Sequence, residues 1–301
     1  MSWLGTLGSV FLGGLAAGSL HAAVASPQDT IVTVTVGAQQ RSAYLHVPAG
    51  FDRARKYPLL IGFHGGAGNA REYIEQAQLF AKGEQAGFIV VCPEGTPLHG
   101  MGEHRVWNSG PEYAASVGNA DDVAFTRQLI DKVSSLYPVD PKRIYATGFS
   151  NGAQMTYRLA LELSDRVAAI AAMSGGRLAQ GRQPGRAVPV LHIHGTADGF
   201  YPFAGGLGPY SIGLTPHVAI DAVIREWCRF NGAALTPQTR TFDAYEMQLH
   251  DGPAPVILIR VDGLGHQIAG GNDDHLPHQA LLPRPDAVAV ALEFFARHPM
   301  P

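Results

Sequence analysis

The sequence has few charged residues and no cluster of lysine or arginine. Charged residues make up 16% of the 301 residues, and the formal net charge is −3. Nucleic acids and anionic membrane surfaces bind basic patches, so we expect neither as a partner. Hydrophobic residues make up 46% of the chain, which is typical of a globular protein and excludes intrinsic disorder.

Cysteine is also scarce. There are only two, of which Cys92 ends a strand-like apolar run and Cys228 lies in a helical pattern. A disulfide between them and two separate buried thiols are both consistent with the sequence. The state of the two sulfur atoms therefore stays open at this point.

The amino-terminal segment has no charged side chain over residues 1–25. It ends in Ala23-Val24-Ala25, a small-residue cleavage pattern. We therefore predict a signal peptide at 1–25, one mature domain at 26–301, and a secreted or periplasmic protein. No basic residue precedes the apolar run, so a membrane anchor and a misplaced start remain alternatives. No other stretch approaches the roughly 20 apolar residues of a membrane span, and we expect no stable insertion of the mature chain.

Strand and helix patterns alternate along the rest of the chain. Residues 30–36 alternate between apolar and polar, whereas residues 58–64 are a nearly continuous apolar run, as in strands buried on both faces of a parallel sheet. The alternation predicts an α/β protein of the α/β-hydrolase architecture, with a mostly parallel central sheet and helices on both faces. Residues 174–187 are too few for a helical cap, so we expect no cap domain and an open cleft.

The individual elements follow from the same patterns. The predicted strands are 30–36, 41–47, 58–64, 88–92, 143–147, 167–173, 188–194, 242–249 and 256–261. The predicted helices are 70–87, 121–137, 151–164, 217–230 and 286–298.

The motif Gly148-Phe149-Ser150-Asn151-Gly152 lies between a predicted strand and a predicted helix. In this setting a G-x-S-x-G sequence places a serine hydroxyl on an exposed, strained turn. The flanking glycines leave room for so tight a turn. Ser150 is therefore the candidate nucleophile, and it needs a base, an orienting carboxylate and oxyanion donors.

A carboxylate follows a later strand of the same predicted sheet. Asp198 lies in a short loop after the apolar residues 188–193. Active sites of open α/β sheets lie at the carboxyl ends of the strands, which puts this loop on the edge that carries Ser150. Asp198 is the candidate acid, and Asp262 at another strand end is the alternative.

The chain has 13 histidines, so the candidate base can be chosen only by its position in the sequence. His266 follows the predicted strand 256–261, and it comes after Ser150 and Asp198 in the chain order of the hydrolase fold. The rivals are His275 and His278, in a polar segment that we expect to be a solvated surface loop.

A glycine-rich loop, residues 64–68, follows another core strand. Glycines here allow backbone N–H groups to face a developing negative charge. We predict the N–H groups of Gly66 and Asn151 as the oxyanion donors, the second because it directly follows the nucleophile. The N–H of Ala67 is the alternative to that of Gly66.

These motifs together resemble those of a known enzyme group. They are His64-Gly65-Gly66, Asp121-Asp122, Gly148-Phe149-Ser150-Asn151-Gly152-Ala153, His194-Gly195-Thr196-Ala197-Asp198 and Gly265-His266. From about residue 34 to residue 298 the chain is similar to the extracellular polyhydroxybutyrate depolymerase and feruloyl esterase-like branch of the α/β-hydrolases. The resemblance implies an esterase with Ser150, Asp198 and His266 as its catalytic triad.

Two departures from that branch concern the substrate. Gln267 follows His266 where the branch often has Trp-Pro, so the stacking surface beside the base is expected to be lost or replaced. We find no linker and polymer-binding domain of the kind that true polymer depolymerases carry, which weakens the expectation of an insoluble polymer substrate.

Aromatic residues near the expected cleft are candidates for substrate binding. Trp107 follows a predicted strand at the active edge and is expected to wall the cleft, with loop packing as the alternative. Tyr201 matches a habit of the resembled branch, and it shares a Gly/Pro-rich insertion with Phe200, Phe203 and Tyr210. Such rings suit aryl or polymeric acyl groups, and packing within the loop is the other explanation.

Residues 273–278 raise the question of a metal site, because they contain two aspartates and two histidines. No paired ligand cluster appears elsewhere, so a solvated loop is the simpler interpretation. We expect no metal and no cofactor.

The sequence thus predicts a secreted serine carboxylic-ester hydrolase that works through an acyl-enzyme. The expected substrates are hydroxyalkanoate-like polyester oligomers and hydroxycinnamoyl or short-chain esters. Two other functions stay open, namely a peptidase or amidase of the same fold and a non-catalytic binding protein on a relic hydrolase fold. The acyl group and the oligomeric state do not follow from the sequence.

Overall fold

A computed structural model describes residues 29–98, 103–110, 113, 117–118, 120–211, 216–272 and 284–301. The strands are β1 (Asp29–Val36), β2 (Gln39–His46), β3 (Tyr57–Phe63), β4 (Ile89–Pro93), β5 (Thr96–Pro97), β6 (Arg105–Val106), β7 (Val139–Phe149), β8 (Ala169–Met173), β9 (Val190–Gly195), β10 (Gln238–Thr241), β11 (Tyr245–His250) and β12 (Val256–Val261). Ten of them form one sheet in the order β1-β2-β4-β3-β7-β8-β9-β12-β11-β10, and β5 pairs with β6 as a separate ribbon.

The middle of the sheet is parallel and its two sides are antiparallel. Strands β4, β3, β7, β8, β9 and β12 run in one direction, whereas β1, β2, β10 and β11 pair antiparallel at the sides. Every residue of β3 is buried, as its nearly continuous apolar sequence predicts. The carboxyl ends of β3, β7, β9 and β12 therefore meet at one edge of the sheet.

Helices cover both faces of the sheet, as the sequence predicts. They are α1 (Ala70–Ala77), α2 (Leu79–Ala86), α3 (Asp122–Leu136), α4 (Asn151–Glu162), α5 (Ile220–Asn231) and α6 (Ala287–Ala296). The buried side chains of α1, α2 and α6 form one hydrophobic cluster with the sheet, and those of α3, α4 and α5 form a second on the opposite face.

Some elements differ from the sequence prediction. The helix predicted over 70–87 is two helices, because Gln78 has a left-handed backbone with φ 52° that ends α1. Strand β10 was missed because its sequence is polar and exposed and shows no apolar alternation. The β5–β6 ribbon was missed because two residues per strand are too few to make a pattern.

Cys92 and Cys228 are separate buried thiols and do not form a disulfide. Cys92 lies in the cluster on the α1 face and Cys228 in the cluster on the α5 face, so the sheet stands between them. Burial raises the pKa of the Cys228 thiol to about 11 and that of Cys92 well above its usual value. Both thiols stay protonated near neutral pH and are poor nucleophiles.

Residues 174–187 contain no helix or strand and lead directly from β8 to β9. The expected absence of a helical cap at this position is confirmed. Over the described ranges, no helix combines the length and the apolar character needed to cross a bilayer. The predicted signal peptide at 1–25 lies outside the described residues.

Candidate active site

Ser150 lies on a strained turn between β7 and α4. Its backbone has φ 55° and ψ −119°, a conformation that a residue with a side chain rarely adopts. A Cβ added at Gly152 would lie 2.2 Å from the carbonyl oxygen of Phe63, and one added at Gly148 would lie 2.4 Å from that of Gly152. The glycines of the motif are therefore required by close backbone contacts, as the sequence predicts.

His266 bridges Ser150 and Asp198. Its Nε2 lies 2.9 Å from Ser150 Oγ, and its Nδ1 lies 2.7 Å from Asp198 Oδ2. The three residues come from the ends of β7, β9 and β12, which the parallel sheet brings to one edge. Since the carboxylate accepts from Nδ1–H, the lone pair of Nε2 faces the serine hydroxyl, and the imidazole is placed to take its proton.

The loop that carries His266 approaches β9 closely. A Cβ added at Gly195 would lie 2.0 Å from the carbonyl oxygen of Leu264, whereas one added at Gly265 would have no atom within 4 Å. The glycine that permits this approach is therefore Gly195, at the end of β9. Gly265, directly before the histidine, is not needed for it.

Asp198 is almost fully buried, and hydrogen bonds hold its carboxylate. Oδ1 accepts from the backbone N–H groups of Phe200 at 2.9 Å and Tyr201 at 2.7 Å. Oδ2, which faces His266, also lies 3.4 Å from His194 Nε2. Asp262, the alternative acid, is exposed on the surface. The structure therefore brings Asp198 and not Asp262 to the histidine.

The loop after β3 and the start of α4 present backbone N–H groups beside Ser150. Among the described residues, the N–H groups of Gly66 and Asn151 have no hydrogen-bond acceptor. The N–H of Ala67 donates to the Arg105 carbonyl at 2.8 Å, so it is not available to an oxyanion. This geometry favours Gly66 over Ala67 as the partner of Asn151.

His64 shapes the glycine-rich loop from beneath. Its Nδ1–H donates to the Gly65 carbonyl at 2.7 Å, and its Nε2 accepts from the Gly95 N–H at 3.0 Å. Burial lowers the pKa of His64 to about 4, so the ring is neutral near pH 7. A neutral ring can donate on one side and accept on the other, as these two bonds require.

The expectation that Trp107 walls the cleft is wrong, because its side chain is fully buried. Its indole N–H donates to the His64 carbonyl at 3.0 Å, and its backbone N–H donates to Asn151 Oδ1 at 2.7 Å. Asn151 Nδ2 in turn donates to Ser109 Oγ at 2.9 Å. Trp107 thus joins the two segments that carry the candidate oxyanion donors. The alternative drawn from the sequence, in which the Trp107 ring packs inside the protein, agrees with the structure.

Tyr201 is also buried and does not offer its ring to a substrate. Its N–H binds Asp198, and its hydroxyl donates to the Gly176 carbonyl. The exposed aromatic residues of this insertion are Phe200 and Tyr210, which are 40% and 65% exposed. The Phe200 ring lies 5.1 Å from that of His266 and 5.5 Å from that of Tyr210. An aromatic surface beside the base therefore exists without a tryptophan after His266.

Several functional expectations fall on residues outside the described ranges. They are the rival histidines His275 and His278 and the metal-like segment 273–278. Over the described residues, no group of three histidine, cysteine, aspartate or glutamate side chains is arranged to hold a metal ion.

Two features of the site were missed by sequence reasoning. One is the Trp107–Asn151 clamp with Ser109, which depends on contacts between residues 42 to 44 positions apart. The other is the pair of histidines on β9, His192 and His194, which stand behind Asp198. Because the two histidines are two residues apart in a buried strand, their side chains lie on the same face. This spacing could have predicted the pair from the sequence.

The sheet order, the serine turn and the loops after β9 and β12 define an α/β-hydrolase. The solved acetyl xylan esterase from Aspergillus awamori superposes with a TM-score of 0.59 at 18% identity, over 79% of this chain and 94% of that one. At this identity the likeness establishes the fold alone.

The chain belongs to the family described as Esterase PHB depolymerase, which matches residues 41–199. It is 33% identical to feruloyl esterase B from Piromyces equi over 245 residues, which are 77% of this chain and 43% of that protein. It is 29% identical to the putative esterase NocK from Nocardia uniformis subsp. tsuyamanensis, over 84% of this chain and 78% of that protein. The chain thus spans less than half the length of the Piromyces enzyme.

Proposed function

We propose that the protein is a serine carboxylic-ester hydrolase that works through an acyl-enzyme. The observation that carries the proposal is the bridge formed by His266, with Ser150 Oγ at 2.9 Å and Asp198 Oδ2 at 2.7 Å. Its membership in an esterase family and the names of its relatives support the same reaction.

The first half-reaction forms an ester to the enzyme. Ser150 Oγ attacks the carbonyl carbon of the substrate while His266 Nε2 takes the hydroxyl proton. The N–H groups of Gly66 and Asn151 donate to the oxyanion of the tetrahedral intermediate. When the intermediate collapses, the bond to the alcohol oxygen breaks, and His266 returns the proton to the leaving alcohol.

The second half-reaction hydrolyses the acyl-enzyme. Water attacks the acyl carbon and gives a proton to His266, and the bond to Ser150 Oγ then breaks as the serine takes that proton back. Asp198 keeps the Nδ1–H of His266 pointing away from the serine and offsets the charge of the imidazolium. The products are the free acid and the regenerated hydroxyl.

The proposed substrates are hydroxycinnamoyl or short-chain esters and hydroxyalkanoate-like oligomers. Phe200 is exposed beside His266 and Tyr210 packs against Phe200, and such rings bind planar or extended apolar groups by stacking and burial. Residues 174–187 contain no helical cap, and we propose that a sugar-linked ester or the end of a polymer chain can reach the site from this side. A relative named as a feruloyl esterase supports the first class.

We also propose that the protein is secreted or periplasmic and that residues 1–25 are removed as a signal peptide. The support is the uncharged segment that ends in Ala23-Val24-Ala25. Amino-terminal sequencing of the protein recovered from culture medium or periplasm tests this. A mature chain that begins at Ser26 agrees with the proposal, and a chain that retains Met1 in the cell contradicts it.

The catalytic proposal is tested by hydrolysis of p-nitrophenyl acetate and butyrate. Ser150→Ala should abolish turnover while the circular dichroism spectrum stays that of the wild type. Ser135→Ala is the matched control, because that hydroxyl lies near the end of α3 and donates only to the Lys132 carbonyl. Retained turnover in Ser150→Ala would refute the proposal. Faster turnover of peptide anilides than of matching esters would indicate an amidase instead.

A further inference from the structure

Behind Asp198 lies a chain of buried polar groups that the reaction above does not use. Tyr157 on α4 has its hydroxyl 2.8 Å from His192 Nδ1, and His192 Nε2 lies 3.1 Å from His194 Nδ1. His194 Nε2 lies 2.8 Å from the Tyr201 carbonyl oxygen and 3.4 Å from Asp198 Oδ2. Tyr157, His192 and His194 are all fully buried.

The geometry of β9 produces this chain. His192 and His194 are two residues apart, so their side chains leave the same face of the strand. Their rings stack 5.3 Å apart with an angle of 8° between their planes. Tyr157 lies two turns into the helix that begins directly after Ser150, and this places its hydroxyl against the first ring.

All three hydrogen bonds of this chain of polar groups donate in the same direction, from Tyr157 toward the Tyr201 carbonyl. The Tyr201 carbonyl only accepts, so His194 Nε2 carries the proton and donates. Burial lowers the pKa of His194 to about 4 and that of His192 well below its usual value, so both rings are neutral near pH 7. His194 Nδ1 is then an acceptor for His192 Nε2–H, and His192 Nδ1 is an acceptor for the Tyr157 hydroxyl.

The negative charge that lies next to His194 is the carboxylate of Asp198. The charge of Asp198 favours protonation of His194, whereas His266 and His217 oppose it. His217 packs on the ring of Tyr201 from the segment before α5, with ring centres 4.2 Å apart. At the other end, Tyr157 is faced by Tyr201 and Cys228, and burial raises its pKa well above the usual value, so its hydroxyl stays a donor.

We propose that Tyr157, His192 and His194 are positioning residues that present an N–H, and not a lone pair, to the carboxylate of Asp198. The inference rests on the proposed roles of Ser150, Asp198 and His266. Reversing the His194 tautomer would turn a lone pair toward both the Tyr201 carbonyl and Asp198, and a buried acceptor without a donor is strongly destabilising. The turn of residues 198–201, and with it His266, would then shift.

The proposal explains why polar groups occupy this part of the core. An apolar side chain at 192 or 194 would fill the same space without the cost of burying an imidazole. The Tyr201 carbonyl at one end and the Tyr157–His192 donors at the other select the same tautomer of His194. A chain that served packing alone would affect the stability of the fold and leave the pH dependence of the folded enzyme unchanged.

The first test is Tyr157→Phe, with Tyr145→Phe as its matched control. Each removes one hydroxyl from a fully buried ring, and among the described residues the Tyr145 hydroxyl has no hydrogen-bond partner. We expect kcat of Tyr157→Phe on p-nitrophenyl butyrate to fall about fivefold with KM little changed, because the hydrogen bond from Tyr157 to His192 is lost and His194 is then held less firmly beside Asp198. The decline of kcat/KM on the acid side should begin at higher pH, because the His194 Nε2–H, 3.4 Å from Asp198 Oδ2, is then held less firmly beside the carboxylate. Tyr145→Phe should change none of these.

A wild-type kcat and pH profile in folded Tyr157→Phe would overturn the proposal. So would equal losses in the two tyrosine variants, because packing alone would then account for both. The Ser150→Ala variant tests the proposed reaction by itself. If it loses all activity while Tyr157→Phe behaves as the wild type, the positioning role fails and the proposed reaction stands.

The second test does not depend on activity or on a variant that folds. Selective ¹⁵N labelling of histidine, with through-bond assignment to the backbone, reports the tautomer of each ring in the wild-type protein. We expect His192 and His194 to be neutral and protonated at Nε2 at pH 7. A charged imidazolium, or a proton on Nδ1 of either ring, would overturn the proposal.

Discussion

Trp107 donates its indole N–H to the carbonyl oxygen of His64, across 3.0 Å of the protein interior. The same residue is tied through its backbone N–H to the side chain of Asn151. One buried residue, through its side chain and its backbone, thus connects the loop after β3 with the residue after the candidate nucleophile. The relative placement of the two proposed oxyanion donors depends on this connection.

Trp107→Phe should lower kcat about tenfold with little change in KM, because the oxyanion donors lose their support while the substrate contacts stay. Trp227→Phe is the matched control, since the Trp227 ring is also fully buried and its N–H has no partner among the described residues. Steady-state kinetics on p-nitrophenyl butyrate measure both. Equal kcat values in the two variants would contradict the role given to Trp107.

The sequence predicted that Ser150, Asp198 and His266 lie at one edge of the sheet, because each follows a strong local pattern, and the structure brings the three side chains together there. Their roles as nucleophile, acid and base stay predictions. A buried apolar strand ends, a glycine-rich loop follows, and the parallel sheet brings such ends to one edge. The role of Trp107 could not be predicted in this way. Whether an aromatic ring after a strand faces solvent or the core is decided by the segments that pack on it, and these come from distant parts of the chain.

Gly195→Ala should be strongly destabilising. Its Cβ would lie 2.0 Å from the Leu264 carbonyl, so the loop before His266 has to move. We expect a loss of about 2 kcal/mol or more in the free energy of unfolding, with activity reduced at least tenfold. Urea unfolding and kinetics measure the two effects.

Gly265→Ala is the control for this change, because its Cβ would meet no atom within 4 Å. It should keep both stability and activity close to those of the wild type. If Gly195→Ala were tolerated and Gly265→Ala were damaging, the glycine that permits the close approach would be Gly265 and not Gly195.

The stability of the protein should fall as the pH falls below about 6.5. The pKa values of His64 and His194 are lowered by burial from 6.5 to about 4, so the unfolded chain takes up protons before the folded one. The free energy of unfolding is therefore not reduced by these two rings above pH 6.5, and it is reduced progressively as the pH falls toward 4. Each should add a slope of up to about 1.4 kcal/mol per pH unit to the free energy of unfolding.

Urea titrations at pH 7, 6 and 5 measure this slope. His64→Gln should give a shallower slope than the wild type, because one fewer proton is taken up on unfolding. A free energy of unfolding that stays constant or rises as the pH falls from 7 to 5 would be incompatible with neutral buried histidines.

Phe200→Ala should change substrate preference more than the chemical step. Removing the exposed ring beside His266 should raise KM for a methyl hydroxycinnamate about fivefold, because aromatic contact is lost. Turnover of p-nitrophenyl acetate should change by less than about twofold, since the acetyl group is too small to reach that surface. Leu235→Ala removes another exposed apolar side chain, from the loop between α5 and β10, and should leave both substrates unaffected.

Parallel losses on both esters in Phe200→Ala would show that the ring supports His266 rather than the substrate. The sequence suggested an aromatic cleft but named Tyr201, which is buried, in place of its neighbour Phe200. Successive residues of such a loop turn toward core and solvent according to its hydrogen bonds. Here the Tyr201 N–H binds Asp198 and its hydroxyl binds Gly176, which turns this ring inward.

If Ser150 is an activated nucleophile, a fluorophosphonate should modify it, and intact-mass and peptide mass spectrometry can locate the adduct. We expect one adduct per chain, located on Ser150, formed in step with the loss of esterase activity and absent from Ser150→Ala. Loss of activity with the label on another residue, or full activity with Ser150 labelled, would contradict it.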